Sequence, residues 1–367
     1  MILTTFPNRL ALKKYDYLHM KHVLGHAWLI RAGFPVSLVY RFPTYTGRQA
    51  ITAGDWLQGP HLYTLYNSYN FSKHQIELLF VVGFSSALIF GTTIGSFADK
   101  LGRRLNCVLY GIFYTICCVT KHYNNFFVLA CGCILGGVST SILFSAFESW
   151  LIHDFNRQNI DKNLLGNIFS TSVLCNSIVA ILMGLVSQLA VDTFGYTAPF
   201  KIAACSFFLM IIYLTWNWEE NYGSQETSVC LSLRNSFQLI KSDYKVLCLG
   251  MIQSLFEGSM YVFVLEWTPS LNYASGFLGF DLILPYGLIF SIFMLCVMTG
   301  SYIFKILSQK LSVESFMRFV LLISAVALMV PLIFRQVSSV ILFWFFSLYH
   351  FIFSYFHNMC NELPLYW

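Results

Sequence analysis

The segment Gly95-Ser-Phe-Ala-Asp99-Lys-Leu-Gly102-Arg103-Arg104 lies between two long apolar runs. Its glycines permit a tight turn and a close helix approach, while Asp99 can cap a helix and pair with the arginines at a membrane edge. The simpler interpretation, a cytoplasmic anchor of positive charges, does not account for the complete spacing. The segment therefore predicts a structured loop that joins two membrane-spanning helices.

The composition places most of the chain in lipid. The 367 residues are 57% hydrophobic and 11% charged, whereas a soluble domain carries about a quarter charged residues. This balance argues against a soluble enzyme, and 36 Phe, 21 Tyr and 8 Trp argue against a disordered chain. The net charge of +5 does not indicate a nucleic-acid partner. Repeated apolar runs of about 20 residues predict helical spans rather than a β-barrel.

Nine spans follow from the apolar runs, and a tenth depends on charge. The nine lie at 76–97, 106–120, 125–152, 164–191, 202–218, 246–267, 282–304, 316–334 and 338–356. The segment 51–70 is too polar for a hydropathy criterion. If it spans from a cytoplasmic N-terminus, eleven Lys and Arg of the later loops lie inside and four outside, namely Lys73, Lys121, Lys201 and Arg335. This excess on the cytoplasmic side is the expected one, so we predict that 51–70 spans.

The spans group into two bundles. We predict an atypical N-terminal extension at 1–50, a six-helix bundle at 51–218, a cytoplasmic linker at 219–245 and an incomplete second bundle at 246–367. A Gly-Ser pair followed by Lys occurs twice with the same spacing, at Gly95-Ser96 and Lys100 and again at Gly300-Ser301 and Lys305. This repeat supports two related halves.

These features resemble the major facilitator superfamily, whose signature loop has the spacing of Gly95 to Arg104. The stretches at 55–63, 135–150, 217–222, 253–257 and 266–269 narrow the resemblance to its molybdate-anion transporter branch. The resemblance implies an all-α, polytopic helical bundle with about ten of twelve helices present. It also implies a multi-pass plasma-membrane protein that imports molybdate by alternating access.

The chain departs from that branch in three places. Residues 1–50 do not resemble its apolar start, the chain stops at Trp367 after about ten spans, and Cys133 stands where family members carry Arg. An arginine in the fourth span would supply a positive charge to an oxyanion. We therefore expect weak molybdate transport by this chain and restored uptake from Cys133→Arg in a completed chain.

Ionisable residues at membrane depth are the candidate pathway residues, because burying them in lipid is costly. Asp55 and Glu257 lie on helices that line the pathway in this superfamily, and Gln253 is one helical turn from Glu257. They are candidates for carrying a proton, or for bridging helices through hydrogen bonds. Both interpretations remain open.

No Lys or Arg lies deep in a predicted span, so an oxyanion would depend on neutral groups. The candidates are Ser139, Thr140, Asn176 and His350. At the cytoplasmic end, we predict a gate in which Glu148 pairs with Arg103 or Arg104, together with Asp99, Gly95 and Gly102. Glu266 is expected at the outer edge.

No cofactor, metal site or enzymatic activity is expected. The sequence has no recognisable nucleophile–base pair or phosphate-binding loop. The 11 Cys are dispersed along the chain, which indicates buried thiols instead of metal ligands or disulfides. Two other functions remain open. One is a proton-coupled carrier for another small solute, and the other is a truncated, non-transporting membrane scaffold or regulator.

Overall fold

The structure is a computed structural model that describes residues 52–143, 145–157, 162–223, 234, 237–238, 240–276, 284–308 and 313–333. Across these ranges every regular element is helical, which confirms the all-α prediction. Positions 52–58 are helical and a 3₁₀ turn follows at Gly59–His61. The α-helices that come next are α1 Leu62–Ser68, α2 Lys73–Leu101, α3 Arg103–Thr120, α4 Phe126–Leu143, α5 Ala146–Arg157, α6 Lys162–Phe194, α7 Ala198–Asn217, α8 Tyr244–Gly276, α9 Tyr286–Ser308 and α10 Val313–Ile333.

In the described ranges six helices have the length and apolar composition needed to cross a membrane, drawn from α2, α4, α6, α7, α8 and α9. The predicted span 338–356 lies outside the described residues. The predicted single span 125–152 is instead two helices, α4 and α5. At their junction the Ser145 amide bonds to the carbonyl of Ile142, and its hydroxyl bonds to the carbonyl of Ser141. These bonds compete with regular α-helical pairing and interrupt the helix.

The polar first segment is helical, as predicted, and lies inside the bundle. Leu57, Leu65 and Tyr66 are buried, and so is His61. The Gln58 side chain donates to the Gly54 carbonyl at 3.2 Å, within the same helix. A helix enclosed by other helices does not need an apolar circumference, which explains why its hydropathy is low.

Small residues bring α2 and α4 together. A Cβ added at Gly137 would lie against the Gly83 carbonyl oxygen and 2.7 Å from Ser86 Cβ. The Ser86 hydroxyl donates to the Ile134 carbonyl at 2.8 Å, and Ser141 donates to the Ala87 carbonyl at 2.9 Å. The small residues in this part of α4 therefore allow the two helices to pack closely.

A second crossing joins α6 to α9, which belong to different predicted bundles. A Cβ at Gly287 would lie 2.5 Å from the Gly184 carbonyl oxygen, so the two backbones are in direct contact. The Gly287 amide donates to Gln188 Oε1 at 2.8 Å, and the Ser291 hydroxyl donates to the Ile181 carbonyl at 2.9 Å. The crossing is therefore held by backbone contact and by hydrogen bonds.

Candidate functional site

The signature loop forms a tight turn between α2 and α3. Gly102 has φ of +109°, a conformation that favours glycine. Arg103 donates from Nε and Nη2 to Asp99 Oδ1 at 3.0 and 2.7 Å, and from Nη1 to the Ser149 carbonyl at 3.1 Å. The predicted pairing of Asp99 with a loop arginine is confirmed. The predicted close approach at Gly95 is wrong for the described part of the chain, where a Cβ at this position would meet nothing within 4 Å.

Glu220 holds the same loop from a distant part of the chain. Its carboxylate accepts hydrogen bonds from the backbone amides of Arg104 and Leu105 at 2.8 and 3.1 Å. These amides belong to the first turn of α3, where an anion is favoured by free N–H groups and by the helix dipole. Arg104 Nη1 in turn donates to the Trp218 carbonyl at 2.9 Å.

Two tryptophans extend this network to α5. The Trp150 and Trp218 rings stack with centroids 3.8 Å apart. Trp150 Nε1 donates to the Glu219 carbonyl at 3.0 Å, and the Gly223 amide donates to the Asp99 carbonyl at 3.0 Å. The segment after α7 thus fastens the ends of α2, α3 and α5 together. The side chain of Glu148, predicted for this gate, lies outside the described residues.

Asp55 faces α3 inside the first bundle. Its carboxylate accepts a hydrogen bond from the Tyr114 hydroxyl. The Tyr114 ring packs against Phe207 of α7, with centroids 4.7 Å apart. This contact is the one expected of a helix-bridging carboxyl, the second of the two interpretations of Asp55.

Glu257 and Gln253 lie on one face of α8, as their spacing indicates. Gln253 Nε2 donates to Glu257 Oε1 at 3.0 Å. One turn further along α8, Tyr261 packs on Phe84 of α2 with ring centroids 4.6 Å apart. The pair therefore lies one helical turn from a contact between the two predicted bundles.

The neutral groups expected to bind an oxyanion are already hydrogen-bonded. Ser139 donates to the Leu135 carbonyl at 2.9 Å, and Thr140 donates to the Gly136 carbonyl at 3.0 Å, both within α4. Asn176 Oδ1 accepts from Trp56 Nε1 at 3.0 Å and so ties α6 to the first helix. His350 lies outside the described residues. The two hydroxyls would need a new rotamer to donate to a bound ion.

One cation is buried among the helices, which the sequence did not indicate. Lys121 follows the end of α3, yet the residue is only 3% exposed. Its ammonium donates to the Tyr66 hydroxyl of α1, and its Nζ lies 3.6 Å from Cys133 Sγ of α4. The sequence places the Lys121 backbone in a loop, but its four-carbon side chain extends back between the helices.

The same end of the molecule contains an ion pair between helices of the two predicted bundles. Lys73 Nζ at the start of α2 lies 2.9 Å from Glu266 Oε2 near the end of α8. Glu266 was expected at the outer edge, but the sequence did not indicate its partner. The two residues are 193 positions apart and no periodicity relates them.

A cavity of about 320 Å³ also lies between helices of the two predicted bundles. Its lining includes His61, Gln188, Asp192 and Tyr286. The two ring nitrogens of His61 are buried and have no hydrogen-bond partner among the described residues. Sequence reasoning missed His61, since a single histidine in a weakly apolar segment carries no pattern.

The helical fold and the signature loop between α2 and α3 agree with the proteins that this chain resembles. A model of the major facilitator superfamily, described as sugar transporters with 12 transmembrane segments, matches residues 45–342. The chain belongs to the major facilitator superfamily. Major-facilitator proteins are membrane transporters rather than enzymes, so the chain is a multi-pass membrane protein of a transporter family.

Relatives confirm the resemblance to the branch indicated by the sequence motifs. The chain is 31% identical over 281 residues to the molybdate-anion transporter of Xenopus tropicalis, a match that covers 76% of this chain and 60% of that protein. It is 33% identical over 278 residues to the molybdate-anion transporter of Danio rerio, covering 69% and 56%. The matches thus span less than two thirds of the length of these relatives.

Solved structures of transporters share the fold. The nucleoside transporter NupG superposes with a TM-score of 0.66 at 13% identity, covering 89% of this chain and 82% of that one. The D-xylose–proton symporter superposes with a TM-score of 0.60 at 13% identity, covering 87% and 80%. These similarities extend to the helical architecture alone.

Proposed function

We propose that this chain is a secondary transporter that imports molybdate across the plasma membrane by alternating access. The proposal that the substrate is molybdate rests on the 31–33% identity to molybdate-anion transporters. The two predicted bundles are the parts that move. Asp55 and Glu257 are the candidates for coupling transport to protons. In this proposal Asp99, Arg103 and Arg104 belong to the cytoplasmic gate.

Contacts between the bundles support alternating access. At the predicted outer end, Lys73 and Glu266 connect α2 to α8, and the α6–α9 crossing packs the two halves tightly at the same end. The cavity beside His61 lies between α6 and α9. Opening the outer end would require both the ion pair and this crossing to separate, as in a rocking motion of one half against the other.

The direct test is uptake of radiolabelled molybdate by cells that express the chain at the plasma membrane. We expect uptake to be saturable and to be inhibited competitively by unlabelled tungstate, because tungstate is also a tetrahedral dianion. The same assay with and without a proton gradient tests the role of protons. Normal surface expression without uptake above that of vector-only cells would contradict the proposal and favour a non-transporting scaffold.

The carboxylates Asp55 and Glu257 favour a second candidate, a proton-coupled carrier for a neutral or cationic solute. Carboxylates repel an oxyanion and attract a cation, and Glu257 lies close to the interface between the bundles. Gradient-dependent uptake of such a solute, without competition by molybdate or tungstate, would favour this candidate over the first.

The ion pair between Lys73 and Glu266 predicts a shift in conformation. Lys73→Glu places a third carboxylate beside Glu77 and Glu266 and should favour opening of the outer end by about 1 kcal/mol, a roughly fivefold change in population. Hydrogen exchange in α1 and the second half of α8 measures the opening, which we expect to rise. Adding Glu266→Lys should restore the wild-type exchange.

Lys201→Glu is the matched control for this prediction. Lys201 is an exposed lysine at the predicted outer end of α7, and its reversal makes the same change in net charge. If hydrogen exchange is faster in Lys73→Glu and stays fast after Glu266→Lys is added, the ion pair between Lys73 and Glu266 does not hold the outer end closed.

A further inference from the structure

The ammonium group of Lys121 is fixed in position by three helices. The Lys121 carbonyl accepts a hydrogen bond from Tyr69 just after α1 at 2.6 Å, and the Lys121 amide donates to the Cys118 carbonyl of α3 at 3.3 Å. Nζ lies 5.0 Å from the centroid of the Tyr66 ring. With both backbone groups bonded, the side chain runs inward and brings its charge between α1 and α4.

This charge has no carboxylate partner in the described ranges. The salt bridges formed there by lysine and arginine side chains involve Lys73 and Arg103. A buried cation without an anion is costly, since its hydration is lost and no opposite charge compensates. Within a bundle of membrane-spanning helices, such a buried cation is a candidate functional site.

The groups around Nζ are suited to an anion. An ammonium has three N–H donors. One of those of Lys121 bonds to the Tyr66 hydroxyl, and the Cys133 sulfur, a weak acceptor, lies 3.6 Å from Nζ. The Tyr66 hydroxyl and the Cys133 thiol lie 3.5 Å apart and share one hydrogen bond, which leaves one of their two hydrogens to donate elsewhere. Donors thus converge here, whereas a site for a metal or an organic cation would need acceptors.

We infer that Lys121 Nζ and the Tyr66 hydroxyl bind the transported oxyanion, a tetrahedral dianion of the molybdate class, with Cys133 at the edge of the site. The inference rests on the proposed function and names its anion-binding residues. Lys121 and Tyr66 are buried, whereas Cys133 is partly exposed. The ion would therefore enter from the Cys133 side.

The first test measures molybdate uptake in surface-expressed variants. Lys121→Gln removes the charge, and we expect its apparent KM for molybdate to rise at least about tenfold, because it loses a charge-assisted contact. Lys121→Arg should retain most of the uptake, and Tyr66→Phe should weaken it by about three- to tenfold. Lys201→Gln is the control, since it removes a lysine from the predicted outer end without touching this cluster.

The second test reads occupancy without transport. The rate at which N-ethylmaleimide alkylates Cys133 is followed by peptide mass spectrometry in detergent-solubilised full-length protein. Molybdate, and tungstate as a second dianion, should slow alkylation of Cys133 in wild type and Lys121→Arg but not in Lys121→Gln. Cys131, exposed two residues earlier on α4, is the internal reference and should be unaffected.

The two tests separate this inference from the proposed function. Wild-type uptake with an unchanged KM in Lys121→Gln would overturn the anion site and leave the transporter proposal intact. Absence of wild-type uptake, with Lys121-dependent protection of Cys133, would overturn transport and retain the site. Absence of protection in wild type would overturn the site whatever the uptake. If Lys121→Gln fails to fold, the result for Tyr66→Phe decides: unchanged KM and protection would overturn the inference.

Discussion

Cys133→Arg is expected to destabilise this chain when it is introduced alone. From the sequence, an arginine at this position should restore molybdate uptake by supplying a missing cation. In the structure Cys133 Sγ already lies 3.6 Å from Lys121 Nζ, so the guanidinium would join an existing cation. Two unit charges 4 Å apart repel by about 4 kcal/mol at an effective dielectric constant of about 20. A repulsion of that size is a large fraction of the stability of a folded protein.

Thermal unfolding of the purified protein in detergent measures this effect. We expect a clear fall in Tm for Cys133→Arg and no comparable fall for Cys133→Ser, which is small and neutral. Combining Cys133→Arg with Lys121→Met leaves a single cation in the cluster and should recover most of the lost Tm. Equal Tm values for wild type and Cys133→Arg would mean that the two side chains do not share one space.

Local pairings were predictable from the sequence, because a helix fixes the geometry of neighbours in the chain. Asp99 and Arg103 are four residues apart, as are Gln253 and Glu257, and both pairs form as expected. Glu220 was not predictable as a cap for α3, although its stretch was recognised as a motif. It lies 116 residues from Arg104, and helical periodicity carries no information over such a distance.

The missed cation has a different physical cause. Assigning a lysine to a loop places its Cα, whereas the charge lies at the end of a flexible four-carbon chain. Lys121 was counted among the outer loop residues, and its ammonium nevertheless lies among buried side chains of α1 and α4. Conversely, Ser139 and Thr140 are in the predicted helix, but their hydroxyls bond to their own helix. Span prediction therefore located the backbones and not the available polar groups.

The weak first helix illustrates a different case, in which hydropathy alone would have missed a helix. The distribution of Lys and Arg predicted that 51–70 spans, and positions 52–58, the 3₁₀ turn and α1 are helical there. Hydropathy alone excludes the segment because Gln58 and His61 are polar. Both are buried within the protein, so the low hydropathy reflects contact with other helices instead of lipid.

Gly287→Ala is expected to weaken the crossing of α6 and α9 and to impair transport. The new methyl carbon would lie 2.5 Å from the Gly184 carbonyl oxygen and 2.7 Å from Gln188 Cβ, so the backbones must separate. Overpacking of this kind costs about 1–3 kcal/mol. Separation also strains the hydrogen bonds from the Gly287 amide to Gln188 and from Ser291 to Ile181. A contact made by backbone atoms has no flexible side chain that could absorb the added volume.

Tm and the rate of molybdate uptake per molecule at the surface measure the two consequences. Gly184→Ala, on the opposite side of the crossing, should reproduce both effects, since its Cβ would lie 2.9 Å from the Gly287 carbonyl oxygen. Gly250→Ala is the control, because a Cβ there meets none of the described residues within 4 Å and alanine favours a helix by about 1 kcal/mol over glycine. A lower Tm with unchanged uptake would show that the crossing holds the bundles together without limiting transport. Unchanged Tm in both crossing variants would contradict the backbone contact itself.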